Sequence, residues 1–114
     1  MKELQNYVQN IADEIKTIYA LDESEREARE EAGEACDLYE YTAESLDIEY
    51  TISGKGDFLG VRLAVTLGGP NVWIDTRRGE VFGAWGADRA SAWIPSEICD
   101  EINAIFCELY ECTR

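Results

Sequence analysis

Six acids recur through one stretch of the chain at helical intervals: Glu23, Glu27, Glu30, Glu34, Asp37 and Glu44. Carboxylates in that pattern recognise cations, above all the Arg and Lys of a partner. A second acidic group, Asp75, Glu80 and Asp88, has the residue types of an oxygen-ligand metal site. Arg77 and Arg78 lie beside it, so it reads as a solvated charge cluster and no metal is expected. Histidine is absent. That removes the commonest general base, the usual transition-metal ligand and every His-dependent triad. The four cysteines, Cys36, Cys99, Cys107 and Cys112, include no C-x-x-C and no zinc-like spacing, and read as reduced, packed as small hydrophobes. No cofactor is implied, and the chain is expected not to be an enzyme. "LGGP" and the stretch from Gly54 to Gly60 lack the pattern of a phosphate loop and read as hairpin turns.

The charge is large and uneven. The chain holds 24 acids and 10 bases over 114 residues, net −14. Residues 1–50 carry 15 acids and 4 bases, and residues 51–114 carry 9 and 6. Such a surface repels nucleic acid and anionic membrane and attracts basic surfaces. With 46% hydrophobic residues the chain has a folding composition. No apolar run approaches the roughly 18 residues of a membrane span, and the N-terminus lacks a signal peptide's apolar segment, so a cytoplasmic location is expected.

The elements that must carry these residues follow from hydrophobic period. Leu4, Val8, Ile11, Ile15 and Ile18 predict an amphipathic helix over residues 2–20, its stripe widened by Tyr7, Ala12 and Tyr19. Ser24 with Glu27 fits a capping box that opens a long helix to about residue 46. One face of it reads Ala28, Ala32, Ala35, Tyr39, Ala43 and Leu46, suited to close packing, and the acidic stripe lies opposite. Gly33 interrupts it at about 1 kcal/mol relative to Ala. Twelve acids between Asp22 and Glu49 would then place a carboxylate every ~3.5 Å of helix axis. One DNA strand presents a phosphate every ~3.4 Å. A plain solvated helix face is the alternative reading.

From Leu46 the period becomes two. "DIEYTIS", "FLGVRLAVTL", "VWIDT", "EVFGAW" and "ASAWI" read as five strands joined by short turns, an antiparallel meander. "IPSEICDEINAIFCELYEC" reads as a helix with Ile98, Ile102, Ile105, Phe106 and Leu109 inward. The expected fold is α+β, a five-stranded antiparallel sheet with helices on one face, in the order ααβββββα. It forms a single domain over 1–114: an acidic helical part at 1–47, the sheet at 48–94 and the final helix at 95–112.

Pairing the strands by their shortest turns puts Leu63, Val65, Leu67, Val72, Ile74, Val81, Trp85, Ala92 and Ile94 on the core face. The other face reads Thr51, Arg62, Thr66, Trp73, Asp75, Glu80, Phe82, Ser91 and Trp93. On it Trp73 opposes Thr66 and Phe82, Ala84 opposes Ser91, and Phe82 opposes Trp93. Trp73, Phe82 and Trp93 then form an outward aromatic row, a contact patch for a partner or for a second copy in a homodimer. Two other readings stand beside it: the row only fastens the strands, or a helix covers it.

The block "LGGPNVWIDTRRGEVFGAWGADRASAWIPSEICDEI" resembles one found in small, mostly uncharacterised proteins of phages and conjugative elements. In size and acidity the chain is similar to anti-restriction and anti-CRISPR proteins, many of which mimic nucleic acid. The resemblance implies an inhibitor in the cytoplasm of a host bacterial cell. Its partner would be the basic surface of a nucleic-acid-binding host protein, a CRISPR nuclease or restriction enzyme. The acidic stripe would engage that surface and the aromatic row would anchor it. The alternative is a small non-catalytic adaptor or assembly protein that binds its partner through the sheet face.

Overall fold

The computed structural model describes residues 2–112, so the first residue and the last two of the expected domain lie outside the described residues. The fold begins with helix α1, Lys2–Tyr19, whose Leu4, Val8, Ile11, Ala12, Ile15 and Ile18 are all buried. Tyr7 and Tyr19 stay on the rim, each about two-fifths exposed.

The expected long acidic helix is two helices. α2 spans Glu23–Glu31 and α3 spans Leu38–Thr42. The capping box belongs to Asp22 and Glu25, not Ser24 and Glu27: Asp22 Oδ1 accepts from Glu25 N–H at 2.8 Å, and Glu25 Oε1 accepts from Asp22 N–H at 3.1 Å. Gly33 ends α2. It adopts a left-handed φ of 76°, and the chain closes with Gly33 N–H on Glu30 C=O and Glu34 N–H on Arg29 C=O. This is a Schellman termination, for which glycine is the favoured residue. Asp37 then caps α3 through Glu40 N–H at 2.8 Å. The break undoes the expected alanine face. Ala28, Ala32, Tyr39, Ala43 and Leu46 are exposed, and it is Leu38 and Thr42 that enter the core.

The strands are β1 Asp47–Ile52, β2 Phe58–Thr66, β3 Asn71–Asp75, β4 Glu80–Trp85 and β5 Asp88–Trp93, followed by α4, Ser96–Cys112. They form one antiparallel sheet in sequence order. α1 packs across β4 and β5, and α4 packs on β2. The architecture is thus the expected α+β meander with its helices on one face.

Trp73 opposes Phe82, as expected, and Ile74 opposes Val81. Two other registers differ. Trp73 opposes Ala64 and not Thr66, because the β2–β3 ladder shifts between Ala64 and Thr66. Phe82 opposes Ser91 and not Trp93, and Ala84 opposes Arg89 and not Ser91, because the β4–β5 turn is only Gly86–Ala87, with Gly86 at φ 62°. Trp93 therefore faces Glu80. Leu67 and Trp85, expected in the core, are 46% and 44% exposed. Leu67 lies beyond the end of β2, and Trp85 ends β4 at its turn.

The core joins the buried stripe of α1 to Val61, Leu63, Val72, Ile74, Val81, Ala92 and Ile94 of the sheet side and to Ile98, Ile102 and Phe106 of α4. α1 comes closest at Gly83. A Cβ there would lie 2.9 Å from Leu4 Cδ1 and 3.0 Å from Val8 Cγ1. Gly60 is crowded in another way, since a Cβ would collide with Arg77 Cγ. Thr76 ties α4 to the sheet: its hydroxyl accepts from Val61 N–H at 3.0 Å and donates to Asn103 Oδ1 at 2.7 Å. Among the cysteines only Cys99 is buried, Cys36 and Cys107 are half-buried and Cys112 is exposed, so the expectation of four packed thiols holds for one.

Ile74→Ala is expected to cost about 2–5 kcal/mol as a core truncation. Trp73→Ala should cost about 1–2 kcal/mol, for loss of cross-strand and cation contacts. Gly83→Val should cost about 1–3 kcal/mol by overpacking against α1. Denaturant unfolding of the three variants checks the order. A Trp73→Ala loss exceeding that of Ile74→Ala would reverse the faces.

Candidate interaction surface

The acidic edge is built from local rules. α2 holds five acids in nine residues and buries none of its residues. Its fixed point is Arg29. Arg29 Nη1 donates to Glu14 Oε1 of α1 at 2.7 Å and to Ala35 C=O at 3.4 Å. The bond to Glu14 holds the guanidinium pKa above its ordinary value. One arginine thus fastens both α2 and the start of the following loop to α1.

The loop brings carboxylates together that a single helix would have spread along an axis. Glu30, Glu34, Glu40 and Glu44 line a hollow of about 310 Å³, with Gly33, Ala35 and Tyr41 completing its wall. Three of these acids, Glu30, Glu34 and Glu44, were expected to act together. Glu23 and Glu27 lie exposed on α2, outside the hollow. Asp37 serves the cap of α3. Glu40 was missed, although D-x-x-E at Asp37–Glu40 repeats the pattern at Asp22–Glu25 and marks a second helix start. No continuous helix axis carries the acids, so the phosphate-like spacing is absent. The arrangement is a cluster that fits discrete cationic heads. Tyr41 is half-buried beside it; burial, and then the charge of Glu14, push its phenol up.

Cys36, Asp37 and Glu40 are the group among the described residues whose donor atoms approach as metal ligands would, within 4.8 Å of one another. Protein partners already use them. Cys36 Sγ donates to Glu40 Oε1 at 3.0 Å, and that bond, followed by burial, pushes the thiol up. A thiol held protonated is a poor nucleophile and a poor ligand. Asp75 and Glu80 do face each other across β3 and β4, but Asp88 is at the other end of the sheet, opposite Trp85. Asp75 is buried instead of exposed. Its Oδ1 accepts from Arg77 N–H at 3.0 Å and Arg78 N–H at 3.2 Å, which fixes the β3–β4 turn.

The outer sheet face carries Trp73 and Phe82 side by side. Arg62 lies over both, its guanidinium carbon 4.7 Å from the Trp73 ring and 5.2 Å from the Phe82 ring. Glu49 and Asp75 hold that guanidinium from either side, at 3.5 and 3.9 Å. Trp93 does not join the row. It is 65% exposed, and Lys16 of α1 lies 5.5 Å from its ring. The aromatic patch is therefore a cation-plated pair plus one separate tryptophan.

No helix among the described residues is long and apolar enough to cross a membrane. Comparison with protein-family models, with curated proteins and with solved structures finds no match.

Arg29→Ala should release α2 while leaving the core in place. Hydrogen exchange should speed up at the amides of α2 and stay unchanged in α1 and the sheet. Equal acceleration throughout would mean that Arg29 supports the whole fold.

Proposed function

We propose that the protein is a non-catalytic inhibitor, encoded by a phage or mobile element. Its acidic edge would occupy a basic, nucleic-acid-handling site on a host defence protein of the restriction or CRISPR type. The observation that carries this reading is α2: a helix of net charge −3, capped at both ends and tethered by Arg29, that buries nothing. Order maintained without a core role fits a surface that must be presented. The hollow ringed by Glu30, Glu34, Glu40 and Glu44 suits an inserted Arg or Lys head.

A second reading has one observation in its favour. β5 carries a largely exposed Trp93, opposite Glu80 on the outer sheet face, with Lys16 at the rim of α1 beside its ring. On this reading the protein is an adaptor that docks a protein partner on the sheet, anchored by an aromatic side chain.

Replacing Glu27, Glu30 and Glu34 together with Lys should leave the circular dichroism spectrum intact. Capture of a nuclease from host lysate, then titration of the purified partner, should show at least a roughly hundredfold loss of affinity, through lost attraction and new repulsion. Wild-type binding should weaken steeply as salt rises. Binding unchanged by the triple reversal but abolished by Trp93→Ala would select the adaptor.

A further inference from the structure

β1 is an edge strand, paired with β2 on one side only. The groups on its open side follow from β2. Val61 N–H donates to Thr76 Oγ1 and Val61 C=O accepts from Thr76 N–H, so both point toward β3. In an antiparallel ladder a residue sends both backbone groups to the same side. Tyr50, opposite Val61, therefore turns its N–H and C=O away from β2, and so do Ile48 and Ile52. Ser53 N–H, bonded inward to Asp57 C=O at 2.9 Å, keeps that alternation through the end of the strand.

Of the usual protections of an edge, Pro, Lys and a bulge in the strand itself are missing here. The extra residue of the β1–β2 irregularity, Leu59, belongs to β2. The two charges of the strand, Asp47 and Glu49, lie on the outer face, where Arg62 meets Glu49 at 3.5 Å. Ile48 and Ile52 are 39% and 47% exposed. The other edge, β5, is guarded: Gln5 of α1 donates to Ser91 C=O at 2.9 Å. An open, regular edge whose outward backbone groups belong to an apolar row, Ile48, Tyr50 and Ile52, is a template for strand addition.

We propose that β1 pairs antiparallel with β1 of a second copy, about a two-fold axis at Tyr50, joining the two sheets into one. The strand is complementary to itself in that register. Ile48 meets Ile52 of the other copy, Tyr50 meets Tyr50, and these are the residues whose backbone groups face outward, so each pair exchanges two hydrogen bonds. On the outer face Glu49 meets Thr51, and Asp47 meets Ser53 just past the strand. A two-fold axis at Glu49 would instead oppose two carboxylates, which is destabilising. An axis at Thr51 would leave Ile48 facing Gly54, outside the strand. Net charge opposes association at long range, and salt screens it. Dimerisation therefore strengthens with salt, the opposite response to binding through the acidic edge, and does not depend on that function.

Sedimentation velocity in reducing buffer tests the dimer. Wild-type protein should pass from monomer to dimer as concentration rises, and further toward dimer in about 0.5 M salt. Ile52→Lys, an edge charge, should weaken the dimer at least about tenfold. Hydrogen exchange of the wild type keeps the question open to test if that variant misfolds. The amides of Ile48, Tyr50 and Ile52 should exchange fast in the monomer and become protected in the dimer, while those of Glu49 and Thr51 are protected in both. A monomer at every concentration and salt overturns the proposal. So does a dimer in which the Ile48, Tyr50 and Ile52 amides remain fast.

Discussion

The close seating of α1 on the sheet at Gly83 is the contact on which the rest of the structure depends. Its buried stripe roofs β4 and β5, and only the missing side chain at position 83 lets Leu4 and Val8 reach the sheet backbone. Its other faces reach three separate parts of the molecule. Glu14 holds Arg29 and with it α2. Gln5 takes up a carbonyl of the β5 edge. Lys16 reaches the ring of Trp93. One amphipathic helix thus sets the core, positions the acidic edge and guards one side of the sheet. Small changes in its height above Gly83 would be felt at all three.

The charge is partitioned by the same architecture. On the outer sheet face and its β3–β4 turn, Asp47, Glu49, Asp75 and Glu80 are matched in number by Arg62, Arg77, Arg78 and Arg89. The excess of acid lies elsewhere, on α2, the loop after it and the solvent side of α4. Repulsion within the chain thereby falls on exposed positions, where water and counterions screen it. The sheet can pack, and Arg62 can lie across Trp73 and Phe82, without opposing the overall field.

The parts of the fold that bury a periodic stripe were legible in the sequence. α1 and α4 repeat apolar residues at helical spacing because one side of each lies in the core, although Leu109, expected inward, is exposed near the end of α4. Apart from Thr66, which the shift in the β2–β3 ladder sets opposite the core residue Val72, the side to which most strand residues point was legible as well, and for an instructive reason. The errors opposite Trp73 and Phe82, Thr66 for Ala64 and Trp93 for Ser91, are slips of two residues. An even slip changes partners and preserves faces. It was enough to dissolve the three-member aromatic row while leaving Trp73 outward. The break at Gly33 was not legible from periodicity, since α2 buries nothing and so carries no hydrophobic phase to lose. Its marks were chemical: a glycine able to take a left-handed turn, and two D-x-x-E starts at Asp22 and Asp37. Reading through the glycine turned a cluster of acids into a line of them, and hid Glu40.

Gly60 and Arg77 illustrate how one contact can bind two distant positions into a single unit of inheritance. The arginine stem fills the space that any side chain at position 60 would need. Position 77 can shorten while 60 stays glycine, but 60 cannot gain a side chain while the arginine stem stays in place. A lineage that acquired a side chain at 60 would first have to shorten or redirect the residue at 77, and a lineage that kept the arginine would be confined to glycine. In relatives of this chain a short or redirected residue at 77 should therefore accompany any departure from glycine at 60, while glycine at 60 tolerates either.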